Sequence, residues 1–398
     1  IFQPMNFNDI DLICLSHLRW GFVFQRPQHL MSRFGRSRRV FFFEEPFFEE
    51  GAEPHIKTQV CPQTGVHVLV PFLPSGLNQG QVNSAQGNLL GSVLKANNIK
   101  NYIAWYYTPT AMEFTSGLDP KLTVYDCMDE LSAFSGAPPS MRNNEQALFR
   151  QAQLVFTGGR SLFEAKRKQH PSVYLFPSSV DVSHFGRSRQ IQAEPEDQRP
   201  VGKPRFGFAG VLDERMDIQL LKQVAQKRPD WQFVLLGPIA KIDAASLPKA
   251  PNIHFLGMKS YADLPAYMSG WNIGILPFAL NDSTRFISPT KTPEYLAAGL
   301  RVISTPIRDV VTPYGQGGLV SIVENTEQFV EAGERLLAEG STPEFRERAD
   351  QFLAQSSWDR TTREMEQLIE SKLVLGNSLD AHRIAMSVDS LAEGVQNV

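Results

Sequence analysis

Short apolar runs alternate with segments of helical periodicity along most of this chain. The runs are nearly continuous, which is typical of strands that are buried on both faces. Strands and helices that alternate in this way predict a parallel sheet covered by helices on both sides. In the first half, the predicted strands are 11–16, 40–43, 66–70, 102–105, 122–125, 154–157 and 173–176, and the predicted helices lie near 27–34, 82–97, 141–152 and 160–168.

The pattern changes after residue 182. Residues 183–204 are rich in Gly, Pro, Arg, Gln and Glu without apolar periodicity, which predicts a linker. A second series of strands and helices occupies 205–357, and an amphipathic helix opens the last segment, 358–398. We therefore predict an α/β protein with two facing Rossmann-like domains, 1–182 and 205–357. The predicted strands of the second domain are 205–209, 232–236, 253–256, 273–276, 301–305 and 319–323.

Composition narrows the class of protein. A length of 398 residues fits two or three domains, and 42% hydrophobic residues provide a large core. The net charge of −3 does not favour nucleic acid as a partner. Cys14, Cys61 and Cys127 form no CxxC pair, so neither a zinc ribbon nor a disulfide scaffold is expected. A reducing, cytoplasmic location is the expectation, and no apolar run is long enough to span a membrane.

Residues 287–305 contain the most informative motif. Thr292 is predicted to cap a helix that has Pro293 in its first position, and Gly299 is predicted to end it in the left-handed conformation. A strand follows at once. The loop before this helix therefore lies at the carboxyl edge of the sheet, where ligands of such domains bind.

This loop and the first helical turn combine groups that bind anions. Ser288, Thr290 and Lys291 bring two hydroxyls and an ammonium to the predicted helix start. The carboxylate of Glu294 lies in the first turn, where it either accepts hydrogen bonds from ligand hydroxyls or only complements the helix dipole. Spacing alone leaves both interpretations open.

The segment Pro-Thr-Lys-x-x-Glu-Tyr-Leu-Ala-Ala-Gly-x-x-Val-Ile-Ser-Thr (289–305) resembles the donor-binding segment of GT-B glycosyltransferases of the GT4 type. The resemblance extends over most of the chain, to a bacterial subgroup similar to the enzymes that build teichuronic acid and other surface polysaccharides. The other segments that carry it are Trp20, 25–29, 125–130, 156–161 and 176–185.

The resemblance implies a metal-independent enzyme without a cofactor. Such an enzyme moves a sugar from a nucleoside-diphosphate sugar to a saccharide or lipid-linked acceptor, with retention at the anomeric carbon. The second domain would hold the donor and the first domain the acceptor. The helix that opens segment 358–398 would pack back across the domain junction.

Donor-binding residues follow from the same resemblance. Glu294 would bind the ribose hydroxyls, and the loop from Ser288 to Lys291 would contact the diphosphate or the transferred sugar. Gly210 would allow a tight turn after a strand, and Arg215 would hold the diphosphate, unless it only forms a surface ion pair with Asp213 or Asp217. Met258 and Lys259 would frame the base, unless they serve only as turn residues.

The chain departs from the family pattern at three positions. Phe286 replaces a glutamate that recognises the transferred sugar, and Asp282 or Ser283 are the candidate substitutes. Val211 stands near the usual arginine of the first loop. Met128 replaces the histidine of a His-Asp pair, and Asp129 matches its aspartate.

Acceptor-side candidates follow the first-domain strands. His17, Trp20, Gln25 and Arg26 come after the first strand and are expected to face the cleft. His17 is a candidate catalytic group or a structural histidine, and Trp20 either stacks on a sugar ring or fills the cleft wall.

Asp126 and Asp129 end the strand that begins at residue 122. Either is a candidate to deprotonate or orient an acceptor hydroxyl. Metal-dependent transferases of another fold use Asp-x-Asp, whereas the spacing here is Asp-x-x-Asp, so no metal is expected. The alternative is that Asp129 caps the following segment.

Two basic clusters, 33–39 and 166–168, suggest contact with a membrane. The first lies beside aromatic residues 40–43 and 47–48, which would suit an anionic membrane and a lipid-linked acceptor on its inner face. Ordinary solvated helix faces are the alternative. Two other functions stay open on sequence alone: a nucleotide-sugar 2-epimerase of the same fold, and a catalytically silent protein that binds sugar or lipid.

Overall fold

A computed structural model describes residues 10–190 and 192–374. The first sheet has nine strands. They are β1 (Asp11–Leu15), β2 (Val40–Phe43), β3 (Phe47–Glu49), β4 (His55–Val60), β5 (His67–Pro74), β6 (Tyr102–Tyr106), β7 (Leu122–Cys127), β8 (Leu154–Thr157) and β9 (Val173–Leu175). Their order is β3-β5-β2-β1-β6-β7-β8-β9, and all of these neighbours pair in parallel. Only β4 is antiparallel, against β5.

The second sheet has six parallel strands in the order β12-β11-β10-β13-β14-β15. They are β10 (Arg205–Ala209), β11 (Gln232–Leu236), β12 (Ile253–Gly257), β13 (Ile273–Leu276), β14 (Arg301–Ser304) and β15 (Val320–Ile322). In both sheets the chain starts in the middle and winds outward to both edges, as in doubly wound domains.

Helices connect the parallel strands. They are α1 (Arg26–Phe34), α2 (Gln79–Ala96), α3 (Met112–Thr115), α4 (Met141–Gln151), α5 (Arg160–Lys166), α6 (Val182–Gly186), α7 (Ile218–Lys227), α8 (Leu264–Ser269), α9 (Lys291–Ala297), α10 (Arg308–Val310), α11 (Thr326–Glu339), α12 (Pro343–Leu353) and α13 (358–374).

Each central strand serves two hydrophobic cores because successive side chains point to opposite faces. In β1, Leu12 and Cys14 pack into one cluster, and Ile13 and Leu15 pack into the other. The strands of the second domain divide in the same way. Burial on both faces explains why these strands read as continuous apolar runs.

Two strands of the first sheet, β3 and β4, lie outside the predicted apolar runs. Most side chains of β3 and β4 are exposed, and Phe47 and Phe48 are 45% and 51% exposed. A strand at the solvated edge of a sheet needs no apolar run, so periodicity alone does not reveal it.

The segment 183–204, predicted as a linker, is packed on the second domain. Phe185 and Val201 are buried in that domain's core, and Gln198 accepts a hydrogen bond from the indole N–H of Trp271 at 2.9 Å. Arg189 pairs with Asp350 at 2.6 Å. Scattered anchoring residues of this kind lack the periodicity that marks a helix or strand.

Helix α13 returns to the first domain. Trp358, Met365, Ile369 and Leu373 are buried in the core on one face of the first sheet. The expected tail after residue 376 lies outside the described residues. No helix in the described ranges combines the length and apolarity needed to cross a membrane.

Candidate functional site

The site lies between the carboxyl ends of the strands of the two sheets, in three adjoining cavities. The central cavity, about 110 Å³, lies between Gln25, Arg26 and Asp129 of the first domain and Gly210, Arg215 and the 287–291 loop of the second. The first-domain cavity, about 350 Å³, contains His17, Asp129 and Phe134. The second-domain cavity, about 280 Å³, is lined by the 20–24 loop, Gly237 and Met258.

Ser288, Thr290 and Lys291 line the central cavity, as the sequence predicts. Helix α9 begins at Lys291, with Thr290 as its N-cap, so the prediction that Thr292 caps this helix is wrong. The chain enters the helix two residues earlier, and the Thr292 hydroxyl is buried without a hydrogen-bond partner among the described residues. Gly299 has φ +79°, which confirms the predicted left-handed helix end.

Glu294 is 3% exposed, and its Oε2 accepts a hydrogen bond from Lys291 Nζ at 2.7 Å. Burial raises the pKa of the Glu294 carboxyl, and the Lys291 ammonium opposes that rise. Lys291 itself lines both the central and the second-domain cavities. The pair therefore holds a carboxylate directly behind a cation that faces the cleft.

The loop after β10 forms the opposite wall of the central cavity. Gly210 and Arg215 both line it, and the Arg215 Nη2 donates to Asp213 Oδ2 at 2.6 Å. The ion pair with Asp213 is present, but it does not remove Arg215 from the cavity. Gly237, at φ +143°, has no space for a side chain because a Cβ there would overlap the carbonyl oxygen of Gly210. This contact joins the β10 and β11 loops closely.

Asp129 lies where the central and first-domain cavities meet and lines both. Burial raises the pKa of its carboxyl to about 6, and Arg215 opposes that rise more than any other neighbour. Asp213 raises the same pKa, and Lys241 lowers it. A half-buried carboxylate with a pKa near neutrality suits proton transfer.

His17 lies in the first-domain cavity, half-buried, and its Nδ1 has no hydrogen-bond partner among the described residues. Burial and then the charge of Lys241 lower the pKa of the imidazole to about 4. The ring is therefore neutral at neutral pH.

Asp126 does not line any of the three cavities. It is fully buried, and Arg26 donates to it through Nε at 3.0 and 3.1 Å and through Nη2 at 2.8 Å. The remaining guanidinium nitrogen, Nη1, donates to the carbonyl oxygen of Phe176 at 2.7 Å. Arg26 is 1% exposed, so its charge is committed to this internal bridge between α1, β7 and the end of β9.

The structure brings Trp20 to the second-domain cavity rather than to the first-domain side where it was expected. Met258 and Lys259 line the same cavity, and their role in framing the base stays a prediction. The Lys259 ammonium pairs with Asp197 at 2.6 Å. Gln25 caps α1 and lines both the central and first-domain cavities.

Phe286 does not face the donor side. It packs against the first domain's core, so the position of the usual glutamate has become a contact between the domains. Asp282 lines a separate groove with Phe286 and Arg285, outside the three cavities. Neither Asp282 nor Ser283 lines the three cavities, so the structure does not support either residue as a replacement for the glutamate that recognises the transferred sugar.

The domains also touch beside the central cavity. Asp309 of the second domain accepts hydrogen bonds from the Ser161 backbone N–H at 3.1 Å and from the Ser161 hydroxyl. A Cβ on Gly159 would overlap the Asp309 carboxylate and lie 2.6 Å from the Cβ of Ser288. Glycine at this position therefore permits the close approach of the two domains.

The basic cluster of 33–39 is paired within the protein. The pairs are Arg33 and Arg36 with Asp359, Arg38 with Glu366, and Arg39 with Asp11. Lys166 of the second cluster is buried against Glu130 and Glu145 at 2.7 and 2.8 Å. Residues 40–43 form the buried strand β2 rather than an exposed aromatic patch.

Lys241 is a site residue that sequence reasoning missed, and Asp213 was considered there only as an ion-pair partner of Arg215. Both line the first-domain cavity, and the Lys241 Nζ lies 5.4 Å from the centre of the Phe134 ring. Lys241 has φ +60°, an uncommon conformation for a side chain of this size. No motif marks either residue, because their place in the site depends on how the two domains face each other.

Comparisons with known proteins agree with this arrangement. Residues 203–339 match the family described as glycosyl transferases group 1. A relative from Bacillus subtilis strain 168, described as the teichuronic acid biosynthesis glycosyltransferase TuaH, is 24% identical over 284 residues, or 64% of this chain and 68% of that protein.

Solved structures share the fold over nearly the whole chain. Sucrose-phosphate synthase from Thermosynechococcus elongatus aligns with a TM-score of 0.67 at 13% identity, covering 92% of this chain and 100% of that one. HepE of Anabaena, in complex with UDP and glucose, aligns with a TM-score of 0.63 at 15% identity, covering 91% and 100%.

The two facing sheets and the cleft between their carboxyl edges define the GT-B class of two-domain proteins. Within that class the chain is a glycosyltransferase, with the group 1 match in its second domain. The GT4 subtype is consistent with these findings and stays a prediction.

Proposed function

We propose that this enzyme transfers a sugar from a nucleoside-diphosphate sugar to a hydroxyl of a saccharide or lipid-linked acceptor in bacterial surface-polysaccharide synthesis, with retention and without a metal. The observation that carries the proposal is the central cavity, where Asp129 of one domain faces Arg215 and Lys291 of the other. The description of the Bacillus relative supports the polysaccharide context.

The donor is assigned to the second domain. The diphosphate contacts Arg215, Lys291 and the hydroxyls of Ser288 and Thr290, since these groups line the central cavity together. The nucleoside occupies the second-domain cavity, between Met258 and Trp20. Glu294, one side chain behind Lys291, accepts hydrogen bonds from the ribose hydroxyls once the ammonium turns to the diphosphate.

The reaction breaks the bond between the anomeric carbon and the diphosphate oxygen and forms a bond from that carbon to the acceptor oxygen on the same face of the ring, as retention in a single step requires. Asp129 accepts a hydrogen bond from the acceptor hydroxyl and takes its proton. Arg215 and Lys291 stabilise the charge that develops on the departing diphosphate. The contact between Asp309 and Ser161 keeps the cleft closed against water, which limits hydrolysis of the donor.

Metal independence rests on these two cations, which occupy the place where a metal ion would neutralise the diphosphate. Turnover should therefore persist after EDTA treatment, and a loss that Mg²⁺ or Mn²⁺ restores would contradict this part of the proposal.

The other first-domain residues position the catalytic groups and the acceptor but take no part in making or breaking bonds. The buried bridge from Arg26 to Asp126 holds the start of α1 against the end of β7, which places Gln25 and Asp129 on the same cavity. The neutral His17 offers a ring nitrogen to an acceptor hydroxyl in the first-domain cavity.

A panel of UDP, GDP, ADP, CDP and dTDP in a thermal-shift assay tests the donor site. A ligand at about 100 times its dissociation constant adds about 2.7 kcal/mol of stability. We expect one nucleotide to raise the midpoint of the wild type and of Glu347→Gln, an exposed control on α12, but not of Glu294→Gln. No shift with any nucleotide would contradict the donor site.

Measurements of donor turnover distinguish glycosyl transfer from 2-epimerisation of the nucleotide sugar. Consumption of donor only when acceptor is present supports glycosyl transfer. Formation of an isomeric nucleotide sugar without acceptor would support a 2-epimerase instead.

We propose that the protein contacts the inner face of the membrane only through a lipid-linked acceptor, because the arginines of 33–39 are engaged in ion pairs. Flotation with vesicles of anionic phospholipid tests it. Binding only when a lipid-linked saccharide is included fits the proposal, whereas binding to plain anionic vesicles would contradict it.

A further inference from the structure

A fourth cavity, the distal cavity, continues the first-domain cavity away from Asp129. Its volume is about 580 Å³, within the range of small-molecule sites. The two cavities share Glu45, Thr108, Thr110 and Pro138 as lining residues, so they form one groove over the first domain. One end of the groove is the reaction centre, and the other end lies over α2 and α3.

The lining of the distal cavity contains no Lys, Arg or His. Its polar groups are three carboxylates, three amides and several hydroxyls. They are Glu44, Glu45, Glu113, Gln79, Asn83, Gln86, Ser16, Thr108, Thr110 and Ser140. A phosphate or a uronate would find no cation there, whereas neutral hydroxyls would find both donors and acceptors.

Gln86 has the arrangement expected of a ligand-binding side chain. It is 6% exposed, lines the distal cavity, and its amide makes no side-chain hydrogen bond within the described part of the chain. Its amide group is therefore free to bind a ligand in the cavity. Hydroxyls of a ligand could accept hydrogen bonds from its N–H groups and donate to its carbonyl oxygen.

Glu113 supplies a fixed negative charge. It accepts hydrogen bonds from Ser140 and Asn144 at 2.7 Å and from Asn83 at 2.9 Å, and these bonds lower the pKa of its carboxyl. Glu45 adds a second carboxylate where the two cavities join. The negative charge of Glu44 is partly offset by the guanidinium of Arg19, which donates a hydrogen bond to it at 3.3 Å.

Phe48 adds an apolar face at the lip of the cavity. Its side chain is 51% exposed, which is unusual for so large an apolar group. With Val82 and Phe114, it provides a surface on which the C–H face of a sugar ring can pack.

We propose that the distal cavity is a subsite for the second and further sugar residues of the acceptor, and that it selects residues without anionic groups. The inference rests on the proposed function. It adds that the acceptor is an oligosaccharide of at least two residues, whose reacting hydroxyl meets Asp129 while the next ring contacts Gln86 and Phe48.

The full chain is tested on an array of immobilised monosaccharides and of neutral, phosphorylated and uronate-bearing oligosaccharides. The variants are Gln86→Ala and Phe48→Ala. Gln351→Ala, exposed on α12, and Val60→Ala, exposed on β4, are the matched controls outside the groove. The nucleotide thermal-shift panel is run on the same preparations.

We expect the wild type and both controls to retain neutral oligosaccharides above monosaccharides. Each groove variant should bind the oligosaccharides about tenfold more weakly, with an unchanged nucleotide shift. The subsite is wrong if a nucleotide binds but no glycan is retained, if monosaccharides or anionic glycans are preferred, or if both variants bind like the wild type. If no nucleotide stabilises any preparation, the proposed function itself fails.

Discussion

Asp126 and Asp129 are three residues apart, yet the structure gives them opposite environments, and substitution to asparagine should separate their roles. Asp126 is fully buried and bonded three times by Arg26, which is itself 1% exposed. In Asp126→Asn, the guanidinium stays buried without its counter-charge. Breaking a buried ion pair from one side costs about 3–5 kcal/mol.

For a domain of this size, that loss corresponds to a midpoint lower by about 10 °C. Asp129→Asn should behave differently, because burial already raises the pKa of this carboxyl and a neutral amide carries no such cost. We expect its thermal midpoint to stay at or above that of the wild type at pH 7, while donor turnover with acceptor falls at least about a hundredfold.

Differential scanning calorimetry and turnover measurements on the two variants provide the assay. The double variant Arg26→Met/Asp126→Leu removes both charges and should recover part of the lost stability. Equal midpoints for Asp126→Asn and the wild type would refute the reasoning, as would full turnover by Asp129→Asn.

Three further predictions concern proton transfer and the contact between the domains. The wild-type kcat/KM should fall as pH drops through about 6, because Asp129 becomes protonated below its raised pKa, and a profile flat from pH 5 to 8 would argue against its role as a base. Gly159→Ala should reduce kcat/KM by at least about tenfold with nucleotide affinity retained, because the added methyl group overlaps Asp309. Steady-state kinetics and small-angle scattering provide the measurements. Unchanged turnover together with unchanged molecular dimensions would contradict this prediction. Phe286→Glu restores the usual glutamate but removes an apolar contact with the first domain's core, so it should cost about 1–2 kcal/mol of stability. Calorimetry measures this loss, and titration should show no stronger binding of the nucleotide sugar. Tighter binding of the donor would place residue 286 at the donor site and contradict the prediction.

The strands that build the two domains were predictable because burial on both faces leaves a strong apolar signal. Strands β2, β8, β10, β11 and β13 coincide with predicted runs. The edge strands β3 and β4 were missed because solvated strands lack this signal. The 183–204 segment was misread because its few anchoring residues are not periodic.

The candidate site was predictable where a motif occupies the end of a strand. The 288–291 loop, Gly210, Arg215 and Asp129 were identified in this way, and all line the central cavity. The start of α9 was misplaced by two residues, since Thr292 and Pro293 also suit the first turn of a helix.

The fold class, the two sheets and the resemblance to GT-B glycosyltransferases follow from the amino-acid sequence, because local apolar patterns and one contiguous motif encode them. The packing of the folded chain, by contrast, shows that Asp126 is buried against Arg26 and that Asp129 faces the cleft. It alone brought Lys241 beside His17 and extended the groove to Gln86. These relations join residues from distant segments, so their charges and burial depend on how the segments and the domains pack, which no local pattern records.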